Sequence, residues 1–171
     1  MRLSRMIMLI LVLAAGLHLV TIWLMPRVLL AAVTTSMQLD DTPLNQLVHS
    51  DRQTAASRRV VRPSPDLLYS ICLYDLSMGS VHVSTDQMPD SYWSISGYSA
   101  NTDNFFVVND RTAQGRPLDI VLSHAGKRNS GADFYSPSVR GVILLRMVIE
   151  DDQDLPALDA FRQTATCEPV L

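Results

Sequence analysis

Six polar residues fall where turns and strand ends are expected and carry groups able to do chemistry: Asp66, Tyr69, Asp75, Tyr98, Asn101 and Asn104. Carboxylates exchange protons, phenols and amides grip small ligands, and loops at strand ends are where a β scaffold presents such groups. Asp66, Tyr69, Tyr98, Asn101 and Asn104 therefore form the candidate ligand-binding set. The same residues also have structural roles open to them. Asp66 can cap the turn begun by Pro63 and Pro65, the tyrosines can sit at the core edge with bonded hydroxyls, and the asparagines can shape an Asx-turn. Asp66 and Asp75 are not a paired acid and base, because one extended strand would hold them about 30 Å apart at 3.3 Å per residue.

Other constellations are weaker. Gly97-Tyr-Ser-Ala-Asn lacks the second glycine of a nucleophile elbow and stands in a β-rich context. Ser123 and His124 are neighbours on a candidate strand, so their side chains point to opposite faces. His49, His82 and His124 are widely spaced, and neither Gly-rich phosphate loop occurs, so no catalytic residue is assigned and no metal or cofactor is expected. Cys72 and Cys167 allow two readings: a disulfide over some 95 residues, stabilising by about 4 kcal/mol, or a buried free thiol at Cys72. Arg146 is read either as the buried partner of an acid such as Asp75 or as a charge guarding a sheet edge.

The elements that must position these residues show a period of two from Leu67 onward. Candidate strands cover residues 67–76, 81–84, 92–98, 105–109, 118–123 and 142–150, with His82 on the face opposite Val81 and Val83. Asp154 as N-cap and Pro156 in the first turn start a short terminal helix bearing Leu155, Leu158 and Phe161. The fold class is mainly β, an antiparallel sandwich or barrel-like arrangement with α structure at its edges.

Ahead of this domain, residues 6–25 contain no charge, and at 1.5 Å per residue they span about 30 Å, the thickness of a bilayer core. The run is longer than the apolar core of a signal peptide, and the sequence at Trp23 to Arg27 does not resemble a cleavage site. An uncleaved lipid-embedded anchor is expected, with a cleaved leader as the alternative. Arg2 and Arg5 outweigh Arg27 and favour a cytoplasmic N-terminus at an inner membrane, with the main domain periplasmic. His18, inside the span, reads as a neutral residue facing another helix or lipid.

Residues 1–5 are then cytoplasmic, 6–25 transmembrane, 26–62 a helical stalk and connector, and 63–171 the β-rich domain. Pro26 suits a kink or the first turn of a new helix, and Leu44, Leu47 and Val48 suit a second short helix. The connector arginines Arg52, Arg58, Arg59 and Arg62 read as solvated loop residues or as contacts to anionic headgroups.

Composition limits the functional classes. With 171 residues, 14 basic against 17 acidic side chains and Lys127 as the single lysine, the chain has no basic face for phosphates, so nucleic acid is excluded as a partner. At 47% hydrophobic and 18% charged residues it is a folding sequence, not a disordered one.

Arg62-Pro-Ser-Pro-Asp-Leu-Leu-Tyr-Ser70, followed by Leu73-Tyr-Asp-Leu-Ser77, resembles the signature of a bacterial family known as domain of unknown function 1254. Its pattern is Pro-Asn-x-Asp-Thr-Leu-Tyr-Ser and then Asp-Leu-Ser. Later landmarks come in the same order: Asp90-Ser-Tyr-Trp-Ser-Ile is similar to the family's aromatic strand, Asn101-Thr-Asp-Asn-Phe to its Asn-containing turn, and Asp151-Asp-Gln-Asp-Leu-Pro-Ala to its terminal-helix entry. The resemblance covers roughly residues 45–164, while Ser64 and Leu67 depart from the usual Asn and Thr. It implies a membrane-anchored single-domain form whose larger relatives add a second, β-sandwich-rich domain. Here that half would come from a separately encoded protein partner. The expected role is a binding or assembly module. The alternative is an enzyme on a small molecule, its site built from the Asp66 to Tyr69 and Asn101 to Asn104 turns and completed by the partner.

Overall fold

The computed structural model describes residues 2–54, 56–57, 62–87, 89–126 and 131–170. Arg58 and Arg59 of the connector therefore lie outside the described residues.

Chain order is α1 (Arg2–Leu39), β1 (Leu47–His49), β2 (Leu67–Asp75), β3 (Val81–Ser84), β4 (Trp93–Ser99), β5 (Asn104–Asn109) and α2 (Asp110–Ala113). It continues with β6 (Asp119–His124), β7 (Phe134–Ser136), β8 (Arg140–Val148), α3 (Leu155–Arg162) and β9 (Thr166–Pro169). One sheet has the spatial order β1-β2-β8-β4-β5 and is antiparallel throughout. The other has the order β7-β6-β3-β9, and its β6–β7 pair is parallel, so the fold is mainly but not wholly antiparallel.

α1 runs unbroken through Pro26, at about 57 Å for 38 residues. The kink or new helix expected there is replaced by continuous helix. Proline removes one backbone bond, and the adjoining turn is braced by Arg27, which donates to the Trp23 carbonyl and lies 4.1 Å over its indole ring. Residues 3–25 are exposed on all sides, as a lipid-facing helix requires. Beyond them Pro26, Leu30, Val33 and Met37 form a half-buried stripe at helical spacing, so this part of α1 has one shielded side. Asp41 closes the helix in the left-handed region at φ 60°, and the Thr42 N–H returns to the Met37 carbonyl at 3.0 Å.

The second short helix expected around Leu44, Leu47 and Val48 is a strand. β2 needs an edge partner, and satisfying its backbone outweighs the helical spacing of three apolar residues. Asn45, at φ 54°, fixes the entry: its amide donates to the Asp75 carbonyl at 3.1 Å and its Oδ1 accepts from the Asp75 N–H at 2.7 Å. β7 and β9 were not foreseen either. All six predicted strands form within two residues of their expected bounds.

The core lies between the sheets. Leu68, Cys72 and Tyr74 of β2, Trp93 and Ile95 of β4, and Ile143, Leu145 and Met147 of β8 meet Val81, Val83, Ile120 and Leu122 from the other sheet. A disulfide joins Cys72 to Cys167 across this core, with Cα atoms 6.6 Å apart. On the opposite flank Phe106 stacks on Phe134 at 4.4 Å, and Gly97 leaves the room that the Phe105 and Phe106 rings occupy.

Tyr74 lies over Gly141 and hydrogen-bonds the Ser136 hydroxyl at 2.8 Å and the Tyr98 carbonyl at 3.1 Å. Burial pushes its phenol pKa up, outweighing the hydrogen bonds from Ser136 and Ser138 that act the other way. A Cβ at position 141 would collide with that hydroxyl and with the Tyr98 backbone. Gly141→Ala is expected to cost about 3 kcal/mol in a denaturant titration, since overpacking and broken buried bonds add.

Both readings of Arg146 are corrected. β8 is the middle strand, so Arg146 guards no edge, and Asp75 pairs instead with Arg140 at 2.7 Å. Arg146 takes the outward side of the β8 alternation and donates to Ser96 Oγ at 3.4 Å. Burial pushes the Asp75 carboxyl up, but hydrogen bonds from the Ser77 side chain and backbone and from Arg140 together hold it below the usual range. The terminal helix starts where expected, with Asp154 at the N-cap and Pro156 in the first turn, but without the expected cap bond. Asp154 makes no side-chain cap bond, and Asp151 caps a preceding 3-10 turn by accepting from the Gln153 N–H at 2.9 Å.

Candidate functional site

An open cleft of about 260 Å³ lies where the start of β2 meets α3, lined by Asp51, Arg52, Leu68, Leu155, Pro156, Asp159 and Arg162. Leu158 and Arg162, four apart on α3, turn to the same buried side. Arg162 is only 6% exposed. Its Nη1 donates to the Ser50 carbonyl at 2.6 Å and the Tyr69 carbonyl at 3.0 Å, while Nε and Nη2 both reach Asp159 Oδ1 at 2.5 Å. One guanidinium fork therefore ties α3 to β2 and to the chain leaving β1. At the rim Arg52 pairs with Asp152 at 2.9 Å, an exposed contact that adds little stability.

Beneath the fork, His49 Nδ1 lies 2.8 Å from Ser70 Oγ. That is the spacing of a base and its nucleophile, but Ser70 is 1% exposed and faces the core, so the bond acts as a tie between register partners on β1 and β2. Burial lowers the His49 pKa, and the charge of Arg162 lowers it further against a smaller opposing pull from Asp159. The unfolded chain thus binds a proton below pH 6.5 that the folded chain resists. The stability gained from keeping His49 neutral is complete above 6.5 and is lost as pH falls from 6.5 towards the depressed folded value. Thermal unfolding over that window is expected to show this loss, with His49→Gln flattening it.

The two predicted turns do not meet. Asp66 bonds through its carbonyl to Ile149, and Tyr69 pairs with Arg146, at one end of the first sheet. Tyr98 pairs with Val142 and Asn104, and the hairpin carrying Asn101 follows at the other end. The ends are about 25 Å apart by strand rise along β8, so the two turns do not build one ligand cleft.

The polar groups at these turns are used locally. The Tyr69 hydroxyl accepts from the Ser64 N–H at 3.1 Å, and the Asp66 N–H donates to Ser64 Oγ at 3.3 Å. Asn101 accepts from the Ser99 hydroxyl and donates to Asp103. His82, partly exposed, lies 2.6 Å from Asp119. Of these candidates only Tyr69 touches the cleft region, through its backbone carbonyl. Arg162 was missed by sequence reading. Its one local signal is the Asp159 three residues earlier, beside an apolar stripe.

Two face-packed sheets, a disulfide between them and a long apolar leading helix define a β-rich domain behind a helix long and apolar enough to cross a membrane. The family model described as Protein of unknown function (DUF1254) matches residues 44–169, and the chain belongs to this family. The crystal structure of the VPA0106 protein from Vibrio parahaemolyticus is similar, with a TM-score of 0.59 at 14% identity over 77% of this chain and 32% of that chain. A crystal structure of an uncharacterised protein from Burkholderia cenocepacia aligns with a TM-score of 0.47 at 18% identity, over 62% of this chain and 32% of that chain. The Vibrio likeness shows a shared fold. The chain spans about a third of the length of both solved proteins. No curated protein matches it.

Proposed function

We propose that this protein is a single-pass envelope protein, inserted in the inner membrane through residues 6–25 with its N-terminus in the cytoplasm, whose β domain is an assembly module in the periplasm. The apolar α1 and the Cys72–Cys167 disulfide support the location, because disulfides persist in oxidising compartments.

The observation that carries the assembly role is the outward side of the five-stranded sheet. Val48, Ile71, Leu144 and Val107 alternate away from the core there, half-buried or exposed, where an antiparallel sheet facing water ordinarily turns polar side chains outward. A partner domain packed on that side would remove this apolar surface from water. The full-length tagged chain, purified from gently solubilised native membranes, is expected to bring down one protein in stoichiometric amount, and Ile71→Lys is expected to lose it without unfolding. A clean monomer carrying a small ligand would overturn this reading.

A further inference from the structure

Two arginines stand on the outward side of β8, and the sheet treats them differently. Arg140 is opposite Asp75 on β2, and the two close a salt bridge at 2.7 Å. Arg146, about 20 Å further along the strand, is opposite Tyr69 on β2 and Ser94 on β4. Among the described residues no carboxylate pairs with it. Its one hydrogen bond is long, from Nη2 to Ser96 Oγ at 3.4 Å, and lays the guanidinium over the outward side of β4. Nε is shielded from solvent with nothing to donate to, while Nη1 makes no bond and stays open to water.

That arrangement weakens the domain by itself, because a half-buried guanidinium with an unmet donor is destabilising. It suits an interface better. On the same side of the sheet Ile71 and Leu144 form the next register row, and Val148 follows two residues beyond Arg146. A wholly apolar partner surface closing over these residues would strip the remaining water from Arg146 and leave a buried, unpaired cation. A partner that covers this side must therefore bring an anion to this point. A protein supplies one as an Asp or Glu side chain. An arginine beside a tyrosine, bordered by aliphatic residues, also has the composition of an interface hot spot.

We propose that Arg146 anchors the docking surface by receiving an Asp or Glu side chain that projects from an otherwise apolar patch of the partner domain. The carboxylate accepts from Nη1 while Ser96 steadies Nη2 from the other side, and this charge-assisted contact fixes the partner's orientation. The proposal rests on the assembly reading above and deepens it by stating what the partner must carry.

Lys127 is the only lysine in the chain, which makes a direct probe possible. In full-length protein carrying Lys127→Arg, the further change Arg146→Lys keeps the charge and puts a single side-chain amine on this surface. A water-soluble carbodiimide couples an amine only to a carboxylate in contact with it. Applied to native membranes, it is expected to join the introduced amine to an Asp or Glu of a second protein, identified by mass spectrometry of the linked peptides, with no such link from Lys127→Arg alone. Arg146→Met supplies the quantitative test, since it removes the charge and the unmet donor but keeps the side chain's reach. The purified full-length variant should melt no lower than the unmodified protein. Its complex, recovered from gently solubilised membranes, should come apart on dilution at about thirtyfold higher concentration.

Opposite effects on stability and on assembly separate an interface anchor from a structural residue. A clear drop in melting temperature for Arg146→Met would make Arg146 structural and overturn the assignment. So would a link to an acid of the same domain or of a second copy of this chain. A protein partner that is recovered without any link, and whose complex withstands Arg146→Met, overturns the anchor and leaves the assembly reading standing. Recovery of no partner by the unmodified chain overturns both.

Discussion

Cys167→Ser is expected to lower the stability of the domain by about 4 to 5 kcal/mol, the loop-closure value for a cross-link of this span. The disulfide closes a sequence separation of 95 residues and joins two side chains that are 0% and 2% exposed. It is also one of the few ties on β9, whose only strand partner among the described residues is β3, over four residues. Without it the C-terminal strand is held by a short edge ladder, and a serine hydroxyl is left in an apolar core. Denaturant titration of the full-length chain in detergent measures this. Cys72→Ser, Cys167→Ser and the double variant should lose similar amounts, because one bond is removed in each case and the double variant adds only a second buried hydroxyl. Reductant should bring the unmodified chain to nearly the same midpoint. A double variant twice as damaged as either single one would mean that the sulfurs matter for packing and not for the cross-link.

Arg162→Ala is expected to cost about 3 kcal/mol, because it leaves the Ser50 and Tyr69 carbonyls without their charged donor in a shielded site. The lost pairing with Asp159 adds little, since that carboxylate's side chain is 46% exposed and regains water. Arg162→Lys should recover only part of the loss, as an ammonium cannot reproduce the fork that reaches two carbonyls and a carboxylate. Asp159→Ala should fall within about 1 kcal/mol of the unmodified chain. A second readout separates this clamp from general packing. With the Arg162 charge gone, the His49 pKa should rise, yet stay below its ordinary value, because burial is the larger cause of its depression. An NMR titration of the His49 ring reads this directly.

Strands with clean alternation were legible in the sequence because one buried side writes itself into every second residue, as in Val81-His82-Val83-Ser84 and in Gly141 to Val148. β1, β7 and β9 were not, since three or four residues hold too few periods to show a pattern and these strands form because a neighbour's backbone needs pairing. The candidate site was less legible still. Asp66 and Asn101 advertise turns, which they do form, but only the strand order reveals that the turns stand at opposite ends of a sheet. Arg162 looks like an ordinary arginine in a polar helix until α3 is docked, and its role depends on two carbonyls more than ninety residues away in the chain.

The proposed membrane-tethered module, closed by a disulfide, requires its two cysteines to be oxidised in the compartment where the domain resides. Alkylation of the full-length protein with a mass-tagged maleimide, after denaturation of native membranes, tests this most directly. No tag is expected without prior reduction, and two tags with it. Two tags without reduction would put the domain in a reducing compartment and contradict both the proposed periplasmic location and the stapled fold.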